Sequence, residues 1–166
     1  MSQHIISITD YTNAERPELL RLLLELHSTY FQENAPTQLQ ELKQELNIRR
    51  TFDRYIDLIE QSEDALWQIY LAKTETDHVI GFIIGSIKTD EYLLLNKIGI
   101  LEDWYVEPSF RNQGIGFKLY DKLEQWFKGK SCHQIQSDTW EGNELSLRAH
   151  KQAGFFISGI KLSKKI

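Results

Sequence analysis

The chain has 166 residues, a formal net charge of −5 at pH 7 and a single cysteine, Cys132. This length is enough for one domain with a buried core, and no repeat or low-complexity linker divides it, so we expect one domain over residues 1–166. The acidic balance argues against nucleic acid as the main partner, because phosphate backbones are bound by clustered Lys and Arg. The lone cysteine excludes an intramolecular disulfide.

The first residues lack the basic and apolar regions of a signal peptide, and no stretch approaches the ~20 apolar residues of a membrane span. We therefore expect a cytoplasmic protein that does not enter a membrane. Residues 5–8 have the composition of a short strand. An amphipathic helix with Pro17 in its first turn follows. Its apolar side recurs at helical spacing in Leu19, Leu22, Leu23 and Leu26.

Residues 30–36 are expected to break this helix, and residues 39–61 show a weaker helical pattern that indicates two helices. The apolar positions of that pattern are Leu42, Leu46, Phe52, Ile56 and Ile59. Residues 68–72 and 79–87 are predicted strands around a polar turn, and residues 98–106 form a further apolar strand.

The second half continues with a helix, because Ile115, Leu119 and Leu123 recur at helical spacing after a glycine loop. Residues 134–139 alternate as a strand, and residues 143–153 are predicted as a helix that Gly154 ends. Residues 155–162 are expected to close the sheet as its last strand.

The most informative segment runs from Val106 to Gly116, where a predicted strand leads into a glycine loop that opens a helix. Gly114 and Gly116 remove side chains where a ligand would touch the backbone, and first-turn N–H groups have no partner inside a helix, so they bind anions. The loop lacks the Gly-Lys-Ser/Thr ending of a Walker loop, and Leu119 stands where a dinucleotide fingerprint has its third glycine. The ordinary alternative is a strand, turn and helix whose glycines serve close packing.

The pattern Arg111-x-x-Gly114-x-Gly116 resembles the acetyl-CoA pyrophosphate loop of the GNAT N-acetyltransferases. The strand before it, 101–106, and the run after it, 143–155, resemble the family's neighbouring landmarks in the same order. The resemblance implies an α+β fold with a mixed, mostly antiparallel central sheet flanked by helices, in the order β-α-α-β-β-β-α-β-α-β. It also implies acetyl-CoA as co-substrate. The residues that it assigns to acetyl-CoA are Tyr105, Val106, Arg111, Asn112, Gln113, Gly114, Ile115, Gly116, Asn143 and Ser146.

Glu102 and Asp103 are two adjacent acids within a predicted strand. Because neighbouring side chains of a strand point to opposite faces, we expect only one of them to face a given cleft directly. The stretch resembles that of diamine acetyltransferases. This resemblance implies Glu102 as the base that takes the proton of the amine, often through water, and Asp103 as a group that binds a cationic substrate. The alternative for each is a carboxylate that faces solvent.

Asn143, Ser146 and His150 are spaced to share one face of a helix. The resemblance implies that this face lies toward the cofactor. The family usually has a tyrosine at the position of His150, and its hydroxyl protonates the leaving thiolate. Some aminoglycoside 6'-N-acetyltransferases have a histidine there, so the resemblance implies His150 as the acid, with a plain helix-surface histidine as the alternative. Trp140 precedes this helix and lies either in the core or in the acceptor pocket as a substrate-binding residue. The histidines show no metal-ligand spacing, and no metal is expected.

The sequence thus predicts an acetyl-CoA-dependent N-acetyltransferase that acts on a primary amine by direct transfer in a ternary complex. The paired acids and the negative net charge favour a cationic small molecule of polyamine or aminoglycoside type. A non-catalytic acyl-CoA-binding sensor with the same fold is the alternative, supported by the absence of a tyrosine at position 150. A homodimer is compatible with the sequence, although no feature of the sequence specifies one.

Overall fold

The structure, a computed structural model, describes residues 5–43, 47–62, 65–164 and 166. Its centre is a five-stranded sheet in the order β1-β2-β3-β4-β5. Strands β1 to β4 are antiparallel neighbours, and β5 is parallel to β4. This confirms the predicted mixed, mostly antiparallel sheet. The strands are β1 (Ser7–Asp10), β2 (Trp67–Lys73), β3 (Val79–Thr89), β4 (Lys97–Val106) and β5 (Gln134–Ser137).

In the described residues five α-helices flank the sheet, and the two faces of the sheet are buried in two separate cores. The core on one face includes Leu119, Leu123 and Phe127 of the fourth helix. The core on the other face includes Leu23 of the first helix and Ile56 of the third. Strands β2 and β3 are therefore apolar on both sides. The helices are α1 (Arg16–Leu26), α2 (Thr37–Leu42), α3 (Ile48–Glu60), α4 (Ile115–Gly129) and α5 (Glu144–Gln152).

The predicted break after α1 begins later than expected. The chain continues beyond Leu26 as a π-helical turn, His27–Gln32, and α2 starts only after Pro36. A π turn widens the helix by one residue per hydrogen bond and often occurs at functional sites. Two helices follow, as predicted: one in residues 37–42 and one in residues 48–60. Leu46 of the predicted pattern lies outside the described residues.

Strand β4 contains a bulge at Glu102. Ile84 of β3 pairs with Asp103 and the next residue, Gly85, pairs with Leu101, so Glu102 is an extra residue without a partner on β3. Such a bulge interrupts the regular alternation of side chains along a strand. The residues on either side of it therefore no longer follow the simple two-residue period.

Strands β4 and β5 separate halfway along β4. Their parallel pairing begins at Ile98 and ends where Leu101 pairs with Ser137. Beyond this point the second half of β4 keeps β3 as its neighbour on one edge, and its other edge has no strand partner in the described part of the chain. The separation opens a cleft between the two strands.

The prediction of a last strand in residues 155–162 is wrong, because these residues form no strand and α5 is the last regular element. Phe155 packs at the end of α5, with its ring 5.0 Å from that of His150. The apolar side chains that follow are exposed. The segment thus has the composition of a strand, but it pairs with no other strand in the described part of the chain. The exposed side chains are Phe156, Ile157, Ile160, Leu162 and Ile166. In the described ranges, none of the helices has the length and apolar character needed to cross a membrane.

Candidate active site

A cavity of about 1040 Å³ opens where β4 and β5 separate. It is bounded by the glycine loop at the start of α4, the bulge of β4, the π-helical turn, the first half of α3 and one face of α5. The predicted site residues that line it are Glu102, Asp103, Tyr105, Val106, Arg111, Asn112, Gly114, Ile115, Gly116, Trp140, Asn143, Ser146 and His150. Gln113 is exposed on the glycine loop and is not among the lining residues.

The glycine loop presents a helix N-terminus to this cavity. Gly114 caps α4 with a left-handed backbone (φ 75°), and Asn112 has φ 60°. The N–H of Lys118 donates to the carbonyl of Gly114 at 3.1 Å and closes the first turn of α4. The N–H groups of residues 114–117 precede this bond and have no acceptor within the helix. These amides and the helix dipole favour an anion at this end of the cavity.

Two side chains fix the loop to β4. The indole Nε1 of Trp104 donates to the carbonyl of Gly116 at 3.1 Å, and Nε of Arg111 donates to the carbonyl of Val106 at 2.8 Å. The Arg111 guanidinium also lies over the rings of Tyr30 and Tyr105, at 5.0 and 5.5 Å from their centroids. The arginine is therefore an internal anchor of the loop rather than a solvated charge.

The backbone along the open edge of β4 alternates in direction. Glu107 donates its N–H to the carbonyl of Ile80 on the β3 side, at 2.8 Å. Since alternate residues of a strand turn their backbone groups to the same edge, Tyr105 faces β3 with Glu107, whereas Trp104 and Val106 face the cleft. The Val106 carbonyl already accepts from Arg111. The backbone N–H and carbonyl of Trp104 therefore point to the open edge, where the sequence had assigned the backbone groups of Tyr105.

The expectation that Glu102 and Asp103 face opposite sides of the sheet is wrong. The hydroxyl of Ser86 donates to Glu102, and the hydroxyl of Tyr55 donates to Asp103 at 3.2 Å. Tyr55 belongs to α3, which packs on one face of the sheet. Ser86 lies on that same face, because it is two residues from Ile84 on β3 and the side chain of Ile84 is buried in the core that α1 and α3 form with the sheet. Because the bulge adds one residue at Glu102, both carboxylates reach the same face and both line the cavity.

The surroundings of Asp103 shift its own pKa and that of Tyr55. Burial, opposed by the hydrogen bond from Tyr55 and assisted by the charge of Glu102, raises the pKa of Asp103 to about 6. Burial and the charges of Asp103 and Glu102 in turn raise the pKa of Tyr55 far above its ordinary range. Tyr55 thus remains a hydrogen-bond donor, and a cation beside Asp103 would favour the ionised carboxylate.

The predicted face of α5 is formed, and its members bond to one another. The side-chain oxygen of Asn143 accepts from the N–H of Ser146 at 3.2 Å and caps the helix. Nδ1 of His150 lies 2.7 Å from the carbonyl oxygen of Ser146, and Nε2 lies 2.9 Å from Oγ of Ser137. Ser137 and His150 belong to one run that resembles the aminoglycoside 6'-N-acetyltransferases, but the sequence indicated neither a role for Ser137 nor its contact with His150.

One wall of the cavity is aromatic. Trp140 lies edge-on to Phe31 with ring centroids 5.9 Å apart, and His27 and Phe52 line the same region. The buried Nε1 of Trp140 has no hydrogen-bond partner among the described residues. Sequence reasoning missed Phe31, Phe52 and Tyr55, since they lie on helices with no recognisable motif. In the described ranges, no three His, Cys, Asp or Glu side chains come together as metal ligands.

Comparisons with known proteins agree with this arrangement. A model of the Acetyltransferase (GNAT) family matches residues 20–155. The aminoglycoside N(6')-acetyltransferase type 1 of Klebsiella aerogenes is 36% identical over 88 residues, which cover 52% of this chain and 58% of that protein. The match thus spans little more than half the length of this curated relative.

Two solved structures of the aminoglycoside N-acetyltransferase AAC(6')-Iy share the fold. The complex with CoA gives a TM-score of 0.76 at 20% identity and covers 99% of this chain and 97% of that one. The complex with the bisubstrate analogue CoA-S-monomethyl-acetylneamine gives a TM-score of 0.71 at 21% identity and covers 98% of each chain. At these identities the likeness concerns the fold.

Proposed function

The chain belongs to the GNAT acetyltransferase family, and from this premise we propose that it transfers an acetyl group from acetyl-CoA to a primary amine of a cationic small molecule. The observation that carries the proposal is one cavity with an anion-binding loop at one end and two carboxylates on the same wall. Such a cavity suits a donor that carries phosphates and an acceptor that carries positive charge. We propose that residues 1–166 form one such domain.

The donor is acetyl-CoA, the co-substrate of the GNAT family. We propose that its pyrophosphate is bound by the backbone amides of residues 112–116, because the Arg111 N–H already donates to the carbonyl of Pro108. The loop is held in place by the side chains of Arg111 and Trp104. Its extended arm would follow the cleft-facing backbone of Trp104 and Val106 like an additional strand. Asn143 and Ser146 contribute chiefly by shaping α5 and by holding His150, because their polar groups already bond within the helix.

The acceptor amine arrives protonated at neutral pH and must lose a proton before it can attack. Asp103 and Glu102 on one wall provide a negative site for the cation, and Glu102 serves as the base. Trp140 lines the cavity beside Phe31 and contributes an aromatic surface to the acceptor region. Attack by the neutral amine in a ternary complex then releases a thiolate, which takes up a proton supplied by His150.

The acceptor class that we favour is an aminoglycoside-like amine, and polyamines come second. Support comes from the 36% identity to a protein named aminoglycoside N(6')-acetyltransferase type 1.

Release of CoA during incubation with acetyl-CoA and an amine panel tests this proposal. We expect turnover with kanamycin, less with spermidine, and a loss of about 100-fold or more in Glu102→Gln. Glu91→Gln is the matched control, because Glu91 is exposed in the loop between β3 and β4. Calorimetric binding of acetyl-CoA without CoA release from any amine would support the sensor alternative, and absence of binding at millimolar acetyl-CoA would refute both.

We propose further that the chain forms a homodimer through its C-terminal segment. The outer edge of β5 has no strand partner in the described part of the chain, and the exposed apolar residues of 156–162 have the composition of a strand. The loop between β3 and β4 adds a second apolar surface, in which Tyr92 and Leu94 are fully exposed. Mutual addition of the C-terminal segment to the β5 edge of a second copy would cover these groups.

A further inference from the structure

The side chain of Ser137 contacts His150 at the point where the cleft begins. Ser137 is the last residue of β5, and its pairing with Leu101 is the last contact before β4 and β5 separate. Its hydroxyl lies 2.9 Å from Nε2 of His150 and 3.1 Å from the carbonyl oxygen of Leu101. Both Ser137 and His150 line the cavity. A group that enters the cleft between the strands therefore meets this hydroxyl at the point of separation.

The hydrogen bonds of His150 determine which of its nitrogens can exchange a proton. Nδ1 lies 2.7 Å from the carbonyl oxygen of Ser146, which can only accept, so Nδ1 carries a hydrogen. Nε2 is the nitrogen whose protonation is free to change. Because Nε2 contacts the Ser137 hydroxyl, a proton that leaves the ring along this hydrogen bond passes to Ser137.

The same atomic positions satisfy both protonation states of the ring. With a neutral ring, Ser137 donates its hydrogen to Nε2. With a charged ring, Nε2–H donates to Ser137, and Ser137 donates to the carbonyl of Leu101. The ring can therefore lose and regain a proton without moving, because the Ser137 hydroxyl can either donate to Nε2 or accept from it.

We propose that Ser137 relays the proton of His150 to the thiolate of CoA, an inference that rests on the proposed acetyl transfer. The O–H bond of Ser137 breaks as an S–H bond forms on the departing sulfur, and the Nε2–H bond of His150 breaks as the hydroxyl of Ser137 is restored. The net change converts an imidazolium and a thiolate into a neutral imidazole and a thiol. The relay also extends the short reach of a histidine at a position where the family usually has the longer tyrosine.

Single-turnover acetyl transfer at saturating acetyl-CoA tests the relay in mixtures of H2O and D2O. For the wild type we expect a bowed dependence of rate on deuterium fraction, since two protons move together. For Ser137→Ala we expect a rate about 100-fold lower, a linear dependence and an acetyl-CoA affinity within twofold of the wild type. Ser137→Thr keeps the hydroxyl and should recover most of the rate, and Gln136→Ala, exposed on the same strand, should match the wild type.

The nitrogen NMR spectrum of His150 provides a readout that does not depend on activity. In protein labelled with ¹⁵N-histidine, with His150→Gln used for assignment, we expect the Nε2 resonance to shift in Ser137→Ala and to stay unchanged in Gln136→Ala. A wild-type rate in Ser137→Ala, or a loss that Ser137→Thr does not restore, would overturn the relay. If the wild type releases no CoA with any amine, the proposed function fails, and an unchanged Nε2 resonance in Ser137→Ala would show that Ser137 does not hold His150 either.

Discussion

Asp103 is held in surroundings that disfavour its charge, and this has a consequence for folding. Its pKa in the folded protein is raised to about 6, from an ordinary value of 3.8. A carboxyl group with a raised pKa binds its proton more tightly in the folded state than in the unfolded state. Between pH 4 and 6 the folded chain therefore holds the extra proton, and the contribution of this group to stability falls as the pH rises through that interval.

We predict that Asp103→Asn removes this dependence. The difference in the free energy of unfolding between Asp103→Asn and the wild type should move in favour of the variant by up to about 3 kcal/mol from pH 4 to pH 7. Urea unfolding at a series of pH values measures it. Asp121→Asn, at an exposed position on α4, is the control. Parallel stability curves for Asp103→Asn and the wild type would contradict the prediction.

At the scale of single residues, the sequence supplied the chemical types of the site but not all their contacts. Glu102, Asp103 and His150 were found because a motif or a resemblance marked them, and they do line one cavity. Tyr55 was not found, and Ser137 was noted only as part of a resemblance, with no role. Each acts through a hydrogen bond to a residue distant in the sequence, and nothing in the local pattern around a lone tyrosine or serine encodes such a partner.

At the scale of elements, the loop before α4 depends on the backbone of Gly114. Its φ of 75° lies in the left-handed region, where a residue with a Cβ is strained, although a Cβ there would meet no atom within 4 Å. We predict that Gly114→Ala lowers the free energy of unfolding by about 1 kcal/mol. It should also weaken acetyl-CoA binding at least tenfold, because relief of the strain turns the amides away from their common direction. Thermal unfolding and calorimetry measure the two effects.

Gly129→Ala is the matched control for this change. Gly129 ends α4 with equal space around it and without a left-handed φ, so alanine there should preserve acetyl-CoA affinity and leave stability equal or slightly higher. If Gly114→Ala binds acetyl-CoA as tightly as Gly129→Ala does, the backbone of the loop is not the determinant of the site.

The helices and the glycine loop were predictable because each has a local signal. Pro17 and the leucines after it specify α1, and Gly114 marks the start of α4. The bulge at Glu102 was not predictable, since it arises from the register between β3 and β4 and leaves the apolar pattern of β4 nearly unchanged. That single unpaired residue is the reason why two adjacent acids share a face.

At the scale of the whole molecule, the exposed C-terminal segment governs the expected state of association. We predict that light scattering after gel filtration gives about twice the 19.5 kDa of one chain at micromolar concentration. Phe156→Asp combined with Ile160→Asp should return the mass to that of one chain, because charge cannot be buried against a second copy.

Ile5→Asp is the control for these substitutions, since Ile5 is also exposed but lies just ahead of β1, at the opposite edge of the sheet. A wild-type chain that is monomeric at these concentrations would refute the proposed dimer. The sequence predicted a strand in residues 155–162 because composition reveals strand propensity. It could not reveal that, in the part of the chain that the structure describes, this segment pairs with no strand.

The anchoring of the glycine loop by Trp104 and Arg111 also bears on the thermodynamics of donor binding. Both anchors are made by the protein alone, through the carbonyls of Gly116 and Val106. The conformational entropy of the loop is therefore lost during folding and not during the encounter with acetyl-CoA. Binding should show a heat-capacity change set by the surface that the ligand covers, with no added contribution from ordering the loop.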